Sequence, residues 1–168
     1  NMNIDVSYTS FLKRAIKTLT TILQENNLEL KFNTSWEINE RHYGSLTGLN
    51  KEETKNKIGE AQFKKYRRSW DVAPPPMNVD DNNHSLFSPL NDNIPVGMIP
   101  FTESLKNTYD RVIPYYEKEI KKQIQENKNI LISAHGNSLR ALCKYLFKIL
   151  NKKINELEIP TGNPLIIE

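Results

Sequence analysis

Asn129-Ile130-Leu131-Ile132-Ser133-Ala134-His135-Gly136-Asn137-Ser138 runs from a nearly unbroken apolar stretch into a polar, glycine-bearing turn. An apolar run of strand length with polar flanks is the pattern of a strand buried on both faces of a parallel sheet. Directly after it, Leu139, Leu142, Cys143, Leu146, Phe147 and Leu150 recur at helical spacing, which predicts a helix opening at His135 to Ser138 with those side chains turned inward. The segment therefore delivers a helix N-terminus to the carboxyl edge of a sheet. Ligands collect at that edge, because helix N-termini present unsatisfied amides and the positive end of a dipole. Gly136 lets the backbone approach a phosphate closely, and the His135 and Asn137 side chains can donate to its oxygens. Taken alone, the junction reads more readily as a histidine satisfying a loop carbonyl.

The same unit recurs near the start. Asn3 to Tyr8 predicts a short strand, and Thr9 or Ser10 can cap a helix with Leu12, Ala15, Ile16, Leu19, Ile22 and Leu23 on one face. Arg14 then falls in the first turn of that helix, where it can clamp an anion. A second extended stretch, Leu28 to Ile38, leads into the glycine-punctuated turn Tyr43 to Gly48. A helix follows from about Asn50, with Glu53 at the capping-box position, and helical sequence continues to about Trp70. Residues 71 to 100 are rich in Pro, Asn and Asp without periodicity, which predicts a long loop or flap over a site. Thr102 can cap a long helix with Leu105, Tyr109, Val112, Tyr116, Ile120 and Ile124 on one stripe, kinked at Pro114. Pro164 to Ile167 predicts a last strand. The alternation of strands and helices gives an α/β fold, a three-layer sandwich with a mostly parallel central sheet, formed by residues 1 to 168 as one domain.

Composition narrows the function classes. The 168 residues are 38% hydrophobic and 26% charged, which suits one globular domain with a real core. No apolar run is long enough to cross a bilayer, so no membrane partner is expected. A single cysteine, Cys143, excludes a disulfide framework and suggests a reducing, cytoplasmic setting. Its place on an apolar helix stripe makes it a core residue rather than a nucleophile. A net charge of +3 is modest for a nucleic-acid protein and equally suits a polyanionic small molecule. The basic run Lys64-Lys65-Tyr66-Arg67-Arg68-Ser69-Trp70 lacks any accompanying nucleic-acid fold signal, so no nucleic-acid partner is expected. His84 reads as an exposed loop residue. No His, Cys, Asp and Glu spacing of a metal site occurs, so no metal is expected.

The densest chemistry lies in Ile38-Asn39-Glu40-Arg41-His42-Tyr43-Gly44-Ser45-Leu46-Thr47-Gly48-Leu49-Asn50-Lys51, where a carboxylate, a guanidinium, an imidazole and a phenol stand side by side. Singly, each of these and Arg14 reads as a solvated surface group. Together, Tyr8 to Ala15, Asn39 to Lys51, Arg67-Arg68, Thr102 to Leu105, Ala134 to Leu142 and Ile159 to Pro164 closely resemble the cofactor-dependent phosphoglycerate mutases of the histidine phosphatase superfamily. The resemblance runs from about Asp5 to Ile167, with several motifs in family order.

It implies interconversion of 3- and 2-phosphoglycerate in glycolysis through a phosphohistidine, with 2,3-bisphosphoglycerate as phosphoryl primer. It further implies that Glu40 is the general acid/base. Arg14 and His135 would hold the transferring phosphoryl group, with Gly136 and Asn137 adding donors. Arg41, His42, Tyr43, Lys51, Arg67 and Arg68 would bind the substrate carboxylate and the second phosphate. A homo-oligomer, dimer or tetramer, is implied as well.

Two departures bear on that reading. The family's nucleophilic histidine sits in an Arg-His-Gly motif at the end of its first strand, and no such motif occurs here. The expectation is that the first strand, first helix and this histidine lie upstream of Asn1, that the chain is incomplete at both ends, and that alone it is inactive. Residues 78 to 100 also lack the family's basic and aromatic flap. The competing functions are a phosphatase or bisphosphoglycerate mutase of the same superfamily, and a catalytically dead relative acting as an interaction protein. Retention of Glu40, Arg14 and His135 together speaks against the last, and Lys51 with Arg67-Arg68 favours the mutase over a phosphatase.

Overall fold

The computed structural model describes residues 3–29, 31–78, 94 and 98–168. Three parallel strands form one sheet in the order β2-β1-β3, where β1 is Val6–Thr9, β2 is Phe32–Thr34 and β3 is Ile130–Ser133. Tyr8 stands opposite Asn33 and Ile132, and Thr9 opposite Thr34 and Ser133. The three strands thus end level, and the residues that leave them share one edge.

Side chains alternate across the sheet. Ser7 and Thr9 face helix α1 (Lys13–Glu25), which buries Ala15, Leu19 and Leu23, and Ser133 Oγ donates to the Ala15 carbonyl. Tyr8 faces the other way, into a core with Leu105, Val112, Ile113, Tyr116, Ile120, Ala141 and Leu142 from helices α4 (Leu105–Tyr115) and α6 (Gly136–Leu146) and the turn between. Helix, sheet and helices make the three layers. The path from β2 to β3 also carries two short helices, α2 (Lys51–Ile58) and α3 (Glu60–Arg68), which flank the site.

Several expectations shift. α1 begins at Lys13 with Leu12 as its cap residue, and Ser10 Oγ accepts the Leu12 N–H one turn early. Ile38 lies in a one-turn 3₁₀ helix, Trp36–Ile38, outside the strand. The helix expected to run to Trp70 breaks at Gly59, whose φ of 83° lies outside helical space. Its start is as expected: Asn50 Oδ1 accepts from the Glu52 and Glu53 amides. α4 is capped by Ser104 in a reciprocal capping box with Asn107, while the Thr102 hydroxyl donates to the Pro74 carbonyl instead. Pro114 sits inside α4, and the chain then widens into a π turn, Tyr116–Ile120, before α5 (Lys121–Gln125). A proline cannot donate to the carbonyl one turn back, and a π turn re-pairs the ladder around that gap.

β3 is half-buried rather than buried on both faces, because among the described residues only β1 pairs with it. α6 ends at Leu146, so Phe147 and Leu150 point outward, 52% and 61% exposed. Pro164 to Ile167 forms no strand: no described strand lies beside it, and Leu165, Ile166 and Ile167 are exposed. Most of the expected flap, with His84, lies outside the described residues. No helix among the described residues is long and apolar enough to cross a membrane.

Candidate active site

The site forms where β1 and β3 end. His135 caps α6 and is buried. Arg14, in the first turn of α1, donates from Nε to His135 Nδ1 at 3.2 Å, while Ser10 Oγ lies 2.7 Å from His135 Nε2. A guanidinium only donates, so Nδ1 is an acceptor and the ring proton sits on Nε2, directed at Ser10. Burial, then the positive charges of Arg14 and Arg111, lower the His135 pKa to about 3. The imidazole is neutral at physiological pH. Backbone completes the turn, with the His135 N–H donating to Ser138 Oγ and that hydroxyl donating back to the His135 carbonyl.

Glu40 is drawn to the same helix N-terminus. Its Oε1 accepts from its neighbour's amide, Arg41 N–H, at 2.8 Å, and from Asn137 through Nδ2 at 2.9 Å and N–H at 3.3 Å. Oε2 has no hydrogen-bond partner among the described residues, so this oxygen is the one able to exchange a proton with a ligand. Asn137 Nδ2 also donates to Tyr43 Oη at 2.8 Å. Gly136, at the helix start, is exposed, and a Cβ there would meet nothing within 4 Å.

Tyr43 carries guanidinium groups over its ring: Arg41 lies 4.6 Å and Arg67 4.7 Å from the ring centre. Arg41 is 2% exposed and donates to the Tyr66 and Arg67 carbonyls through Nη2, while its Nε and Nη1 have no partner among the described residues. Buried guanidinium donors without a carboxylate are a ready counterpart for an anion. His42 is buried, and its Nδ1 accepts the Gly44 N–H. Arg68 and Lys51 stand apart. Arg68 pairs with Glu158 at 2.5 Å on the surface, and Lys51 is an exposed first residue of α2, with no bond to the other site groups.

Sequence reading misses the groups that brace this constellation. Arg111, on α4, is bidentate to Glu103, with Nε 2.7 Å from Oε1 and Nη2 2.9 Å from Oε2. It also donates to the Glu37 and Glu40 carbonyls, while Glu103 Oε2 accepts the His42 N–H. One buried ion pair thus ties residues 37 to 42 to α4. Ser10 reads in the sequence only as a helix cap, and Arg140 is not singled out. Their partners are remote in sequence or belong to packing, so no local signal marks them, except that a buried arginine needs acceptors.

A cleft of about 900 Å³ lies on the Tyr8 face between Trp36, Tyr115 and Lys118 and is lined by none of Arg14, Glu40 or His135. No group of three His, Cys, Asp or Glu side chains among the described residues is arranged to hold a metal.

The sequence model of the histidine phosphatase superfamily, branch 1, matches residues 1–168. A 2,3-bisphosphoglycerate-dependent phosphoglycerate mutase from Pelagibacter ubique (strain HTCC1062) is 53% identical over 99% of this chain and 70% of its own length. One from Treponema pallidum (strain Nichols) is 48% identical, over 99% of this chain and 68% of its own. Among solved structures, a mycobacterial glucosyl-3-phosphoglycerate phosphatase superposes with a TM-score of 0.62 at 18% identity, over 92% of this chain and 64% of that one. The α-ribazole phosphatase from Shigella flexneri gives 0.57 at 19%, over 96% and 66%. The chain thus spans less than two thirds of those solved chains, and at such identities they speak for the fold alone. The level strand ends, the His135 junction and these likenesses together show that the chain belongs to the 2,3-bisphosphoglycerate-dependent phosphoglycerate mutases of the histidine phosphatase superfamily.

Proposed function

We propose that the protein interconverts 3- and 2-phosphoglycerate by phosphoryl transfer through a phosphohistidine, with 2,3-bisphosphoglycerate as primer. The observation that carries the reading is the convergence of Glu40, Asn137, Tyr43, Arg14 and His135 at one strand-end edge. Arg14 and His135 bind the transferring phosphoryl group, and the amides at the start of α6 share its charge. Glu40 gives a proton to the leaving oxygen and takes one from the attacking hydroxyl through Oε2. Arg41 and Arg67, stacked on Tyr43, bind the part of the substrate that does not react, with Arg68 and Lys51 at the rim. His42, through its Nδ1 bond to the Gly44 amide, shapes the turn that presents Tyr43.

The phosphoryl acceptor is assigned to neither His135, whose place beside Arg14 suits it to hold the group, nor His42, whose Nδ1 accepts the Gly44 N–H. Bisphosphoglycerate fits the site by its chemistry: buried Arg41 has two nitrogens without a partner among the described residues, and two phosphates and a carboxylate need cations beyond the Arg14 end. Bound there, it supplies the phosphoryl group that primes the histidine.

The protein is further read as a cytoplasmic homo-oligomer, dimer or tetramer, which sedimentation of the full-length protein would test. The reading itself is tested by incubating full-length protein with bisphosphoglycerate labelled in its phosphoryl groups, with a chelator present. An acid-labile, alkali-stable phosphoenzyme that discharges to 3-phosphoglycerate is expected. Absence of labelled protein, or a requirement for divalent metal, contradicts it.

A further inference from the structure

Arg140 lies one helical turn beyond Asn137 and is 4% exposed. Its Nη1 donates to Asn137 Oδ1 at 3.1 Å, and its Nη2 to the Ile154 carbonyl at 2.6 Å. No carboxylate pairs with it among the described residues. A buried guanidinium without a counter-charge is costly, and burial first, then Arg68 and Arg41, lower its pKa to about 10. It still carries its proton at neutral pH, and so can only donate.

That restriction orders the neighbouring amide. With Oδ1 committed to a donor, the Asn137 NH₂ must turn the other way, and its two hydrogens meet Glu40 Oε1 at 2.9 Å and Tyr43 Oη at 2.8 Å. The flipped amide would set its carbonyl oxygen against the Glu40 carboxylate and its NH₂ against a guanidinium, two repulsive contacts at once. Arg140 in turn is held by Ile154, whose side chain is fully buried. The chain of contacts runs Ile154 O, Arg140, Asn137, Glu40.

We propose that Arg140 is a positioning residue for proton transfer: it fixes the orientation of the Asn137 amide, which pins Oε1 of Glu40 and leaves Oε2 to serve the substrate. The proposal rests on the mutase reading for the role of Glu40. Arg140 makes no hydrogen bond to Glu40; it acts through Asn137.

The test uses the full-length protein. Arg140→Lys keeps the charge but cannot reach two acceptors from one planar fork. It should lower kcat about 10- to 100-fold with KM nearly unchanged, as misplacement of a reacting group does. In ¹⁵N spectra the Asn137 side-chain NH₂, slow to exchange in the wild type, should exchange freely in Arg140→Lys. Combined with Asn137→Ala, Arg140→Lys should cause no further loss beyond Asn137→Ala alone. Multiplying losses, or an unchanged kcat, overturn the proposal. Should Arg140→Lys fail to fold, Asn137→Asp decides. It leaves Arg140 an acceptor while setting an oxygen against Glu40, so kcat should fall as in Arg140→Lys, and an unchanged kcat overturns the proposal. If the wild type transfers no phosphoryl group, the mutase reading fails, and the NH₂ exchange still decides the role of Arg140.

Discussion

Arg14 Nε donates to His135 Nδ1 across 3.2 Å, and this contact fixes the tautomer of the buried imidazole. The ring cannot add a proton at Nδ1 without facing a guanidinium, and with burial as the larger cause its pKa is lowered to about 3. The unfolded chain binds that proton near the ordinary value of about 6.5. Stability from this group is therefore complete above about pH 6.5 and is lost progressively as pH falls toward about 3. Thermal unfolding of full-length protein across that window should show the slope, and His135→Asn should flatten it. A bound phosphate should raise the imidazole pKa, visible as an upward shift of the His135 ring titration in NMR spectra taken with phosphate. An unmoved titration would remove His135 from the phosphoryl pocket.

Glu40→Gln keeps the acceptor for Asn137 and removes the proton carrier. Turnover should fall by about two to four powers of ten while KM changes little. Near-normal turnover would move proton transfer to another group.

Arg67 and Arg68 are adjacent in sequence, but the fold separates them. Arg67 stacks on Tyr43 and Phe63, whereas Arg68 forms a surface pair with Glu158. Exposed pairs contribute at most about 1 kcal/mol. Arg67→Ala should therefore lower mutase turnover more than Arg68→Ala, and more than it lowers hydrolysis of the phosphoenzyme, because a weakly held intermediate leaves early. Equal effects on both activities, measured side by side, would show that Arg67 grips the transferring group instead.

Gly44 turns the chain with φ +56°, and a Cβ there would meet the Pro75 carbonyl oxygen at 2.0 Å. That carbonyl accepts the Ser45 N–H, which seats the Pro74 to Pro76 segment on the Tyr43 turn. Gly44→Ala combines left-handed strain of about 1–2 kcal/mol with a backbone clash, so a loss of at least about 2 kcal/mol is expected in denaturant unfolding. A loss below about 0.5 kcal/mol would mean the turn has another conformation.

The parts legible in the sequence are those governed by local period. Leu12, Ala15, Leu19 and Leu23 announce the buried face of α1, and the apolar run before His135 announces β3. The strand-to-helix junction marks the site edge, and family resemblance supplies roles for Glu40, Arg14 and His135. What fails locally is decided by tertiary competition. Thr102 reads as the cap of α4, but Ser104 takes that place and the Thr102 hydroxyl turns to the Pro74 carbonyl. Phe147 and Leu150 fit a helical stripe, but the helix ends before them. Arg111 and Arg140 look like solvated helix charges until packing closes over them, since their acceptors at Glu103, Glu37, Ile154 and Asn137 are assembled by the fold.

A site built on Glu40, Arg14, His135 and their braces should isomerise 3-phosphoglycerate rather than hydrolyse it. ³¹P spectroscopy of full-length protein with 3-phosphoglycerate and a chelator measures this directly, because 2- and 3-phosphoglycerate and free phosphate give separate signals. The 2-phosphoglycerate signal should grow to equilibrium, accelerated by trace 2,3-bisphosphoglycerate, with little free phosphate. Release of free phosphate without 2-phosphoglycerate would contradict it and assign the site to a phosphatase.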